Sequence, residues 1–281
     1  MIEIMISLLT TWKSAPSECP AVVLMSGAGD KSFCAGGDVK AVYKGMVEGT
    51  DPLIGARFFY REYQLDHALA QMQPIQVAFW NGFVMGGGVG ISMNAPIRIA
   101  TEKTLYAMPE CAIGFFCDAG ATYFLPRVHE NISYGLYLGV TGHRVRGKEN
   151  LAWGLATHYA STEDLPKIRE RLVEFTQGKD SVSIEEVHKL LGECCECSPG
   201  EIPNAKEIEY CFRDDSLELV QERLTAVASG SVEGLDLNFA KKTLSTMGEL
   251  SPLSMRVVYE LVKRGQKWTL EEALGEEYRV C

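Results

Sequence analysis

Two short apolar runs, each emptying into a glycine-rich segment, constrain this chain more than anything else in it. Residues 21–25 lie between Pro20 and the turn residues Ser26, Gly27 and Gly29, and Ser32-Phe33-Cys34-Ala35-Gly36-Gly37-Asp38 follows. Residues 74–80 form a second run, followed by Met85-Gly86-Gly87-Gly88-Val89-Gly90. Apolar runs of this length bounded by turn residues read as buried strands. Glycine lets the chain turn sharply and lets another group approach the main chain, leaving N–H donors free. Two such donors converging on one point make an oxyanion hole, and losing one typically costs about 3 kcal/mol of transition-state stabilisation. The plainer alternative is that the glycines only permit tight turns and close helix packing.

Composition sets the class. With 281 residues, 46% hydrophobic and 23% charged, the chain can bury the core of one large or two small globular domains. A formal charge of −10 argues against a nucleic-acid footprint or a polybasic membrane-binding face, so an anionic ligand has to be held by local groups. Residues 74–100 are apolar enough to suggest a membrane span, but Asn81, Asn94, Arg98 and the glycines interrupt them, and a strand, turn and helix fit better. Nine scattered cysteines without a signal-peptide pattern point to reduced thiols in an intracellular compartment. The opening residues carry Glu3 and no arginine, unlike a transit peptide.

Periodicity orders the elements. Ile2, Met5, Ile6, Leu9 and Trp12 predict an opening amphipathic helix, and a loop is expected over 27–37. Residues 55–72 read as a helix with Phe58, Leu65, Leu69 and Met72 on one stripe, and Glu62 falls on that face, where a carboxylate needs a partner such as Arg57 or Arg61. Residues 81–88 read as a glycine-rich turn and 97–100 as a third strand before the Met108-Pro109-Glu110 corner. Strands alternating with helices predict an α/β fold. From about Ser133 the pattern turns helical, over 165–177, 184–191, 217–228 and 252–264. No repeat or low-complexity tract is visible in it.

The string Phe33-Cys34-Ala35-Gly36-Gly37-Asp38, then Met85-Gly86-Gly87-Gly88, then Met108-Pro109-Glu110 resembles the signature of the crotonase (enoyl-CoA hydratase/isomerase) superfamily. Within it, residues 107–118, Tyr123-Phe124-Leu125-Pro126-Arg127, Thr141-Gly142, Ala156-Thr157-His158, Ser251-Pro252-Leu253-Ser254 and Glu277-Tyr278-Arg279 resemble the 3-hydroxyisobutyryl-CoA hydrolases. The resemblance implies a spiral core of repeated β-β-α units over 1–180 and a helical region over 181–281 packed on it. It implies that the N–H groups of Gly37 and Gly87 hold the thioester carbonyl. Glu110 then acts as general base or as nucleophile, Asp118 orients the substrate hydroxyl or protonates the leaving thiolate, and Glu62 contacts substrate. Hydratases of the superfamily usually carry a second glutamate where Gly90 stands here, which favours hydrolysis over addition of water to a double bond. The expected ligand is a small acyl-CoA, with coenzyme A as part of the substrate and no separate cofactor. Homo-oligomers and, through valine breakdown, a mitochondrial location are further implications.

Backbone donors, a helix start near Gly87, and cations such as Lys31 or Lys40 are expected to hold the anionic coenzyme A. Family members usually begin with a strand and continue past Glu277-Tyr278-Arg279, so the resemblance implies a chain lacking both ends, with a sheet edge and helix surface left bare. Cys117, Ala121 and Thr122 replace a proline and glycines of that pattern, which is expected to tighten the pocket or oppose a positive φ. The Cys194, Cys195 and Cys197 cluster lacks a second ligand pair for zinc. His67, His129, His143 and His158 show no metal-ligand spacing, and Asn131-Ile132-Ser133 is a glycosylation acceptor only outside the cell. Two other readings stay open beside the hydrolase: a hydratase or isomerase using Glu110 alone, and a catalytically silent acyl-CoA-binding protein.

Overall fold

A computed structural model describes all residues other than Thr50 and Asp214. The chain opens on α1 (Ile2–Ser14), followed by β1 (Val22–Ser26), β2 (Ser32–Cys34), α2 (Val39–Val47) and α3 (Ile54–Ala70). Next come β3 (Ile75–Trp80), β4 (Phe83–Met85), α4 (Gly87–Met93), β5 (Ile97–Ala100) and β6 (Leu105–Ala107). The pattern is strand, strand, helix, used repeatedly.

The strands sort into two sheets. The larger is parallel in the order β1-β3-β5-β8, its last member being β8 (His158–Tyr159). Along β3 the side chains alternate: Val77 and Phe79 face a cluster with Ile97, Ile99, Ile168, Leu172, Val187 and Leu191, while Ala78 and Trp80 enter the main core on the other side. Both faces are therefore covered, as a parallel sheet requires.

The smaller sheet runs β2-β4-β6-β7, with β7 (Val145–Arg146) antiparallel at its end. Here the structure corrects the sequence reading: the expected loop over 27–37 contains β2, and the expected turn over 81–88 contains β4 and the start of α4. Strands of this length are too short to show a period of two, and glycines surround them.

After β6 the fold is mostly helical. The short α5 (Ala121–Phe124), α6 (Ile132–Thr141) and α7 (Glu149–Ala152) precede β8. They are followed by α8 (Leu165–Thr176), α9 (Ile184–Gly192), α10 (Ala205–Cys211), α11 (Leu217–Ala228), α12 (Leu237–Gly248), α13 (Pro252–Gly265) and α14 (Leu270–Val280). Helices α2, α10, α12 and α14 escaped the sequence reading. Several starts are written locally: Ser183 with Glu186, and Thr269 with Glu272, are capping boxes, while Ser251 accepts from the Ser254 N–H ahead of Pro252. Asn131 accepts from Ser133 N–H as the cap of α6. The main hydrophobic cluster runs from Phe33 to Val262, joining the small sheet to α6 and α10–α13. Among the described residues no helix is long and apolar enough to cross a membrane.

Candidate functional site

The small sheet decides where the site is. Because β2, β4 and β6 lie side by side and parallel, the segments that leave them, Gly36-Gly37, Gly86-Gly87 and Met108-Pro109-Glu110, emerge at the same end. A Cβ placed on Gly87 would lie 3.8 Å from the Gly37 nitrogen, and one on Gly36 would lie 3.6 Å from the Gly87 nitrogen. Neither the Gly37 nor the Gly87 N–H donates to another group among the described residues. Two free backbone donors thus sit together, with Gly87 opening α4.

Glycine is needed here for space. A Cβ on Gly87 would come within 2.2 Å of Glu62 Oε1, and one on Gly37 within 2.5 Å of the Phe58 ring. Gly86 also holds a positive φ of 51°.

Four carboxylates close around these glycines. Glu110 begins the turn after β6 and is 6% exposed, with Oε1 3.2 Å from the Cβ position of Gly86 and Oε2 buried without a hydrogen-bond partner. Its carboxyl is pushed up to about 8, by burial first and by the charge of Asp118 second. Asp118, 5% exposed, accepts a 2.8 Å hydrogen bond from the Tyr63 hydroxyl and is raised only to about 6, because that bond partly offsets its burial. Glu62 on α3 is raised to about 8 by burial and then by Asp118. One turn further along α3, Asp66 is 1% exposed, has neither oxygen hydrogen-bonded, and is raised well above 3.8 by burial, then by Glu62, Asp118 and Glu277. Burial thus favours the protonated form of Glu62, Asp66 and Glu110, and favours it least in Asp118, which keeps the Tyr63 hydrogen bond.

The Asp118 loop is held from far along the chain. Ala119 and Gly120 both adopt positive φ, 55° and 84°, and the loop then enters α5. Glu277 on α14, fully buried, accepts from the Gly120 N–H at 2.8 Å, the Thr122 N–H at 2.9 Å and the Thr122 hydroxyl at 2.6 Å. Positive φ is thus required at 119 and 120; Ala121 and Thr122 sit in the helix, where the Thr122 hydroxyl serves the clamp. Tyr63 packs edge-on against Tyr278 of the same α14.

A cavity of about 650 Å³ opens onto this arrangement, its wall including Gly37, Gly87, Glu62, Phe58, Leu65 and Ile91. Glu110 and Asp118 are buried and not part of that lining, Glu110 lying against Gly86, next to Gly87 of the wall. Lys31 and Lys40, expected to meet an anionic ligand, are exposed and off the lining; the cations on it are Arg57 and Arg61. Neither arginine serves as the partner expected for Glu62, since Arg57 pairs with Asp51 and Arg61 with Glu3.

The sequence reading thus finds Gly37, Gly87, Glu62, Glu110 and Asp118 assembled in one region. It missed Tyr63 and Asp66, named Arg57 and Arg61 only as partners for Glu62, and saw Glu277 only as part of a resembling string. A carboxylate at 66, one helical turn from Glu62, was the available signal for a second acid on that face. Among the described residues no three His, Cys, Asp or Glu side chains are grouped as metal ligands. His158 is buried, stacked on His188 and pushed down to about 4 by burial.

Comparison with known proteins gives the family. The chain is 37% identical over 92% of its length to a mitochondrial 3-hydroxyisobutyryl-CoA hydrolase of Dictyostelium discoideum, 67% of which is covered. It is 35% identical over 94% of its length to the small ribosomal subunit protein mS47 of Neurospora crassa, 54% of which is covered. It therefore spans about two thirds and about half of these relatives. Among solved structures, a carnitinyl-CoA dehydratase from Mycobacterium thermoresistibile superposes with a TM-score of 0.83 at 28% identity, over 99% of this chain and 76% of that one. The profile of the enoyl-CoA hydratase/isomerase family matches residues 1–281 in full, and the chain belongs to that family.

Proposed function

We propose that the protein hydrolyses the thioester of a small acyl-CoA, with 3-hydroxyisobutyryl-CoA as the preferred substrate. The observation that carries this reading is Gly90. A Cβ there would lie 2.6 Å from the Ala119 Cβ and 2.9 Å from its carbonyl oxygen, so α4 has no room for the second glutamate of a hydratase. Glu110 is left to work on the carbonyl carbon.

The Gly37 and Gly87 N–H groups polarise the thioester carbonyl and hold the negative charge that develops on its oxygen. Glu110, once ionised, takes a proton from water as the water oxygen attacks, or attacks the carbon itself to give a mixed anhydride that water then opens. Collapse of the tetrahedral intermediate breaks the C–S bond, and a proton from the carboxyl cluster reaches the coenzyme A thiolate. Ionised Asp118, oriented by Tyr63, accepts a hydrogen bond from the substrate hydroxyl, and protonated Glu62 donates one at the cavity wall. The reading needs no cofactor beyond the coenzyme A of the substrate. A mitochondrial location and assembly as a homo-oligomer accompany it, the former supported by the name of the Dictyostelium relative.

A hydratase or isomerase is the second reading. It is supported by the carnitinyl-CoA dehydratase likeness and by Asp66, whose Oδ2 lies 3.0 Å from the Gly90 Cβ position and brings a carboxyl there from α3. One pair of assays separates the two. Release of free thiol from 3-hydroxyisobutyryl-CoA, with crotonyl-CoA absorbance unchanged, supports the hydrolase. The reverse result replaces it with the hydratase, and binding without either reaction leaves an acyl-CoA-binding protein.

A further inference from the structure

We propose that Arg57 and Arg61 form a phosphate-binding rim on the cavity, and that the carboxylates of Asp51 and Glu3 are stand-ins which the phosphates of coenzyme A displace. This rests on the acyl-CoA reading above and assigns the groups that hold the charged end of the ligand.

The placement follows from helix geometry. Arg57 and Arg61 are one turn apart on α3, and Phe58 and Glu62 are the next residues round, so these four side chains form two adjacent stripes on one face. All four line the same cavity as Gly37 and Gly87. The Phe58 and Glu62 stripe reaches the two glycines, since their Cβ positions collide with the Phe58 ring and the Glu62 carboxylate. The arginine stripe beside it carries the lysine or arginine side chains of that lining. In a chain of formal charge −10, a polyanionic ligand entering this cavity meets cations there.

The arginines are already arranged for a phosphate. Arg61 donates Nε to Glu3 Oε1 at 2.7 Å and Nη2 to Glu3 Oε2 at 2.5 Å, the two-pronged geometry in which a guanidinium also grips two phosphate oxygens. Its Nη1 donates to Gln64 Oε1 at 2.6 Å, which fixes the side chain without neutralising it. Arg57 is paired with Asp51 through a single contact, Nη2 to one carboxylate oxygen. These pairs are solvent-exposed, with side-chain exposures of 36% and 68% for Arg61 and Glu3, so water screens them and each is held only weakly. Exchange of a carboxylate for a dianionic phosphate therefore costs little. Glu3 itself lines the cavity, so its side chain occupies space that the ligand needs.

The test is equilibrium binding by the full chain, titrated with coenzyme A, with 3′-dephospho-coenzyme A and with pantetheine, which carries no phosphate. Arg61→Gln and Arg57→Gln are each expected to weaken coenzyme A binding by about ten-fold, the factor of one lost charge-assisted contact, and to flatten its salt dependence. Pantetheine binding is expected to stay unchanged. Arg61→Lys is expected to restore part of the loss, and Glu3→Gln to tighten coenzyme A binding by removing the competitor. The dephospho ligand assigns the 3′-phosphate to whichever arginine no longer matters in its absence. Equal weakening of coenzyme A and pantetheine, no weakening of either, or weaker binding in Glu3→Gln would overturn the inference. Because these titrations need no turnover, an inactive protein that binds coenzyme A through the arginines would sink only the hydrolase reading. An active one with unaltered affinity in both arginine variants would sink only the rim.

Discussion

The two sheets of this molecule are built on opposite terms. The larger sheet is made of apolar strands packed on both faces, and residues such as Val77, Ile97 and Ile99 are fully buried. The smaller one has strands of two or three residues, a register shift between Ser32 and Cys34, and glycine-rich exits. Its backbone is spent on aiming N–H groups and Glu110, while helices borrowed from elsewhere, α3 and α14, bring the carboxylates. On the proposed function, stability and chemistry are carried by different layers, so they should respond to different substitutions.

The largest expected effect breaks the larger sheet alone. Phe79→Ala removes a ring that is 2% exposed and should cost about 3–5 kcal/mol of stability while leaving kcat at permissive temperature unchanged. Chemical denaturation and turnover of the same preparation check both halves. A comparable loss of kcat would show that the layers are not separable.

On the smaller sheet the pattern should invert. Gly87→Ala sets a methyl against Glu62 and turns the donor away, and a fall of about 100- to 1,000-fold in kcat is expected with little loss of stability. Steady-state kinetics beside a thermal melt would decide it; a small change in kcat would remove Gly87 from the oxyanion hole.

How far this division was legible in the sequence depends on the layer. Residues 21–25 and 74–80 announced the larger sheet because a short, mostly apolar run is its own signal, although β1, at the sheet's edge, is only half-buried where β3 is buried. The glycine motifs and Glu110 were legible through resemblance, although β2, β4 and β6, which bring them together, are too short to leave a pattern. What the sequence could not show was long-range pairing. That Glu277 would clamp the loop of Asp118, or that Tyr63 would donate to it, depends on α14 lying against α3 and α5, and nothing local to either segment encodes that.

Asp66 sharpens the comparison from the stability side. A carboxyl raised in the folded state binds a proton that the unfolded chain releases above 3.8, so folding loses stability as pH rises past that value. Asp66→Asn keeps the shape and removes the titration. It should gain about 1–3 kcal/mol near neutral pH and almost nothing at pH 3. Melting curves across pH test this, and a variant less stable than the parent at pH 8 would contradict it.

The smallest effect is on pH dependence. Because Glu110 must lose its proton to act and is held up to about 8, kcat/KM should rise with pH through that region. Asp118→Asn removes the second cause of that elevation and should move the remaining activity's limb to lower pH, by less than burial leaves in place. A limb that stays where it was would mean that the two carboxyls do not sense each other.

In the proposed reaction Glu110 opens the thioester at a carbonyl held by the Gly37 and Gly87 N–H groups. Single-turnover cleavage of 3-hydroxyisobutyryl-CoA by the parent chain and by Glu110→Gln, followed as free thiol, tests it most directly. Cleavage by the parent is expected, with a rate lower by about 100- to 10,000-fold in the variant and coenzyme A still bound. Cleavage at the same rate in both would contradict it.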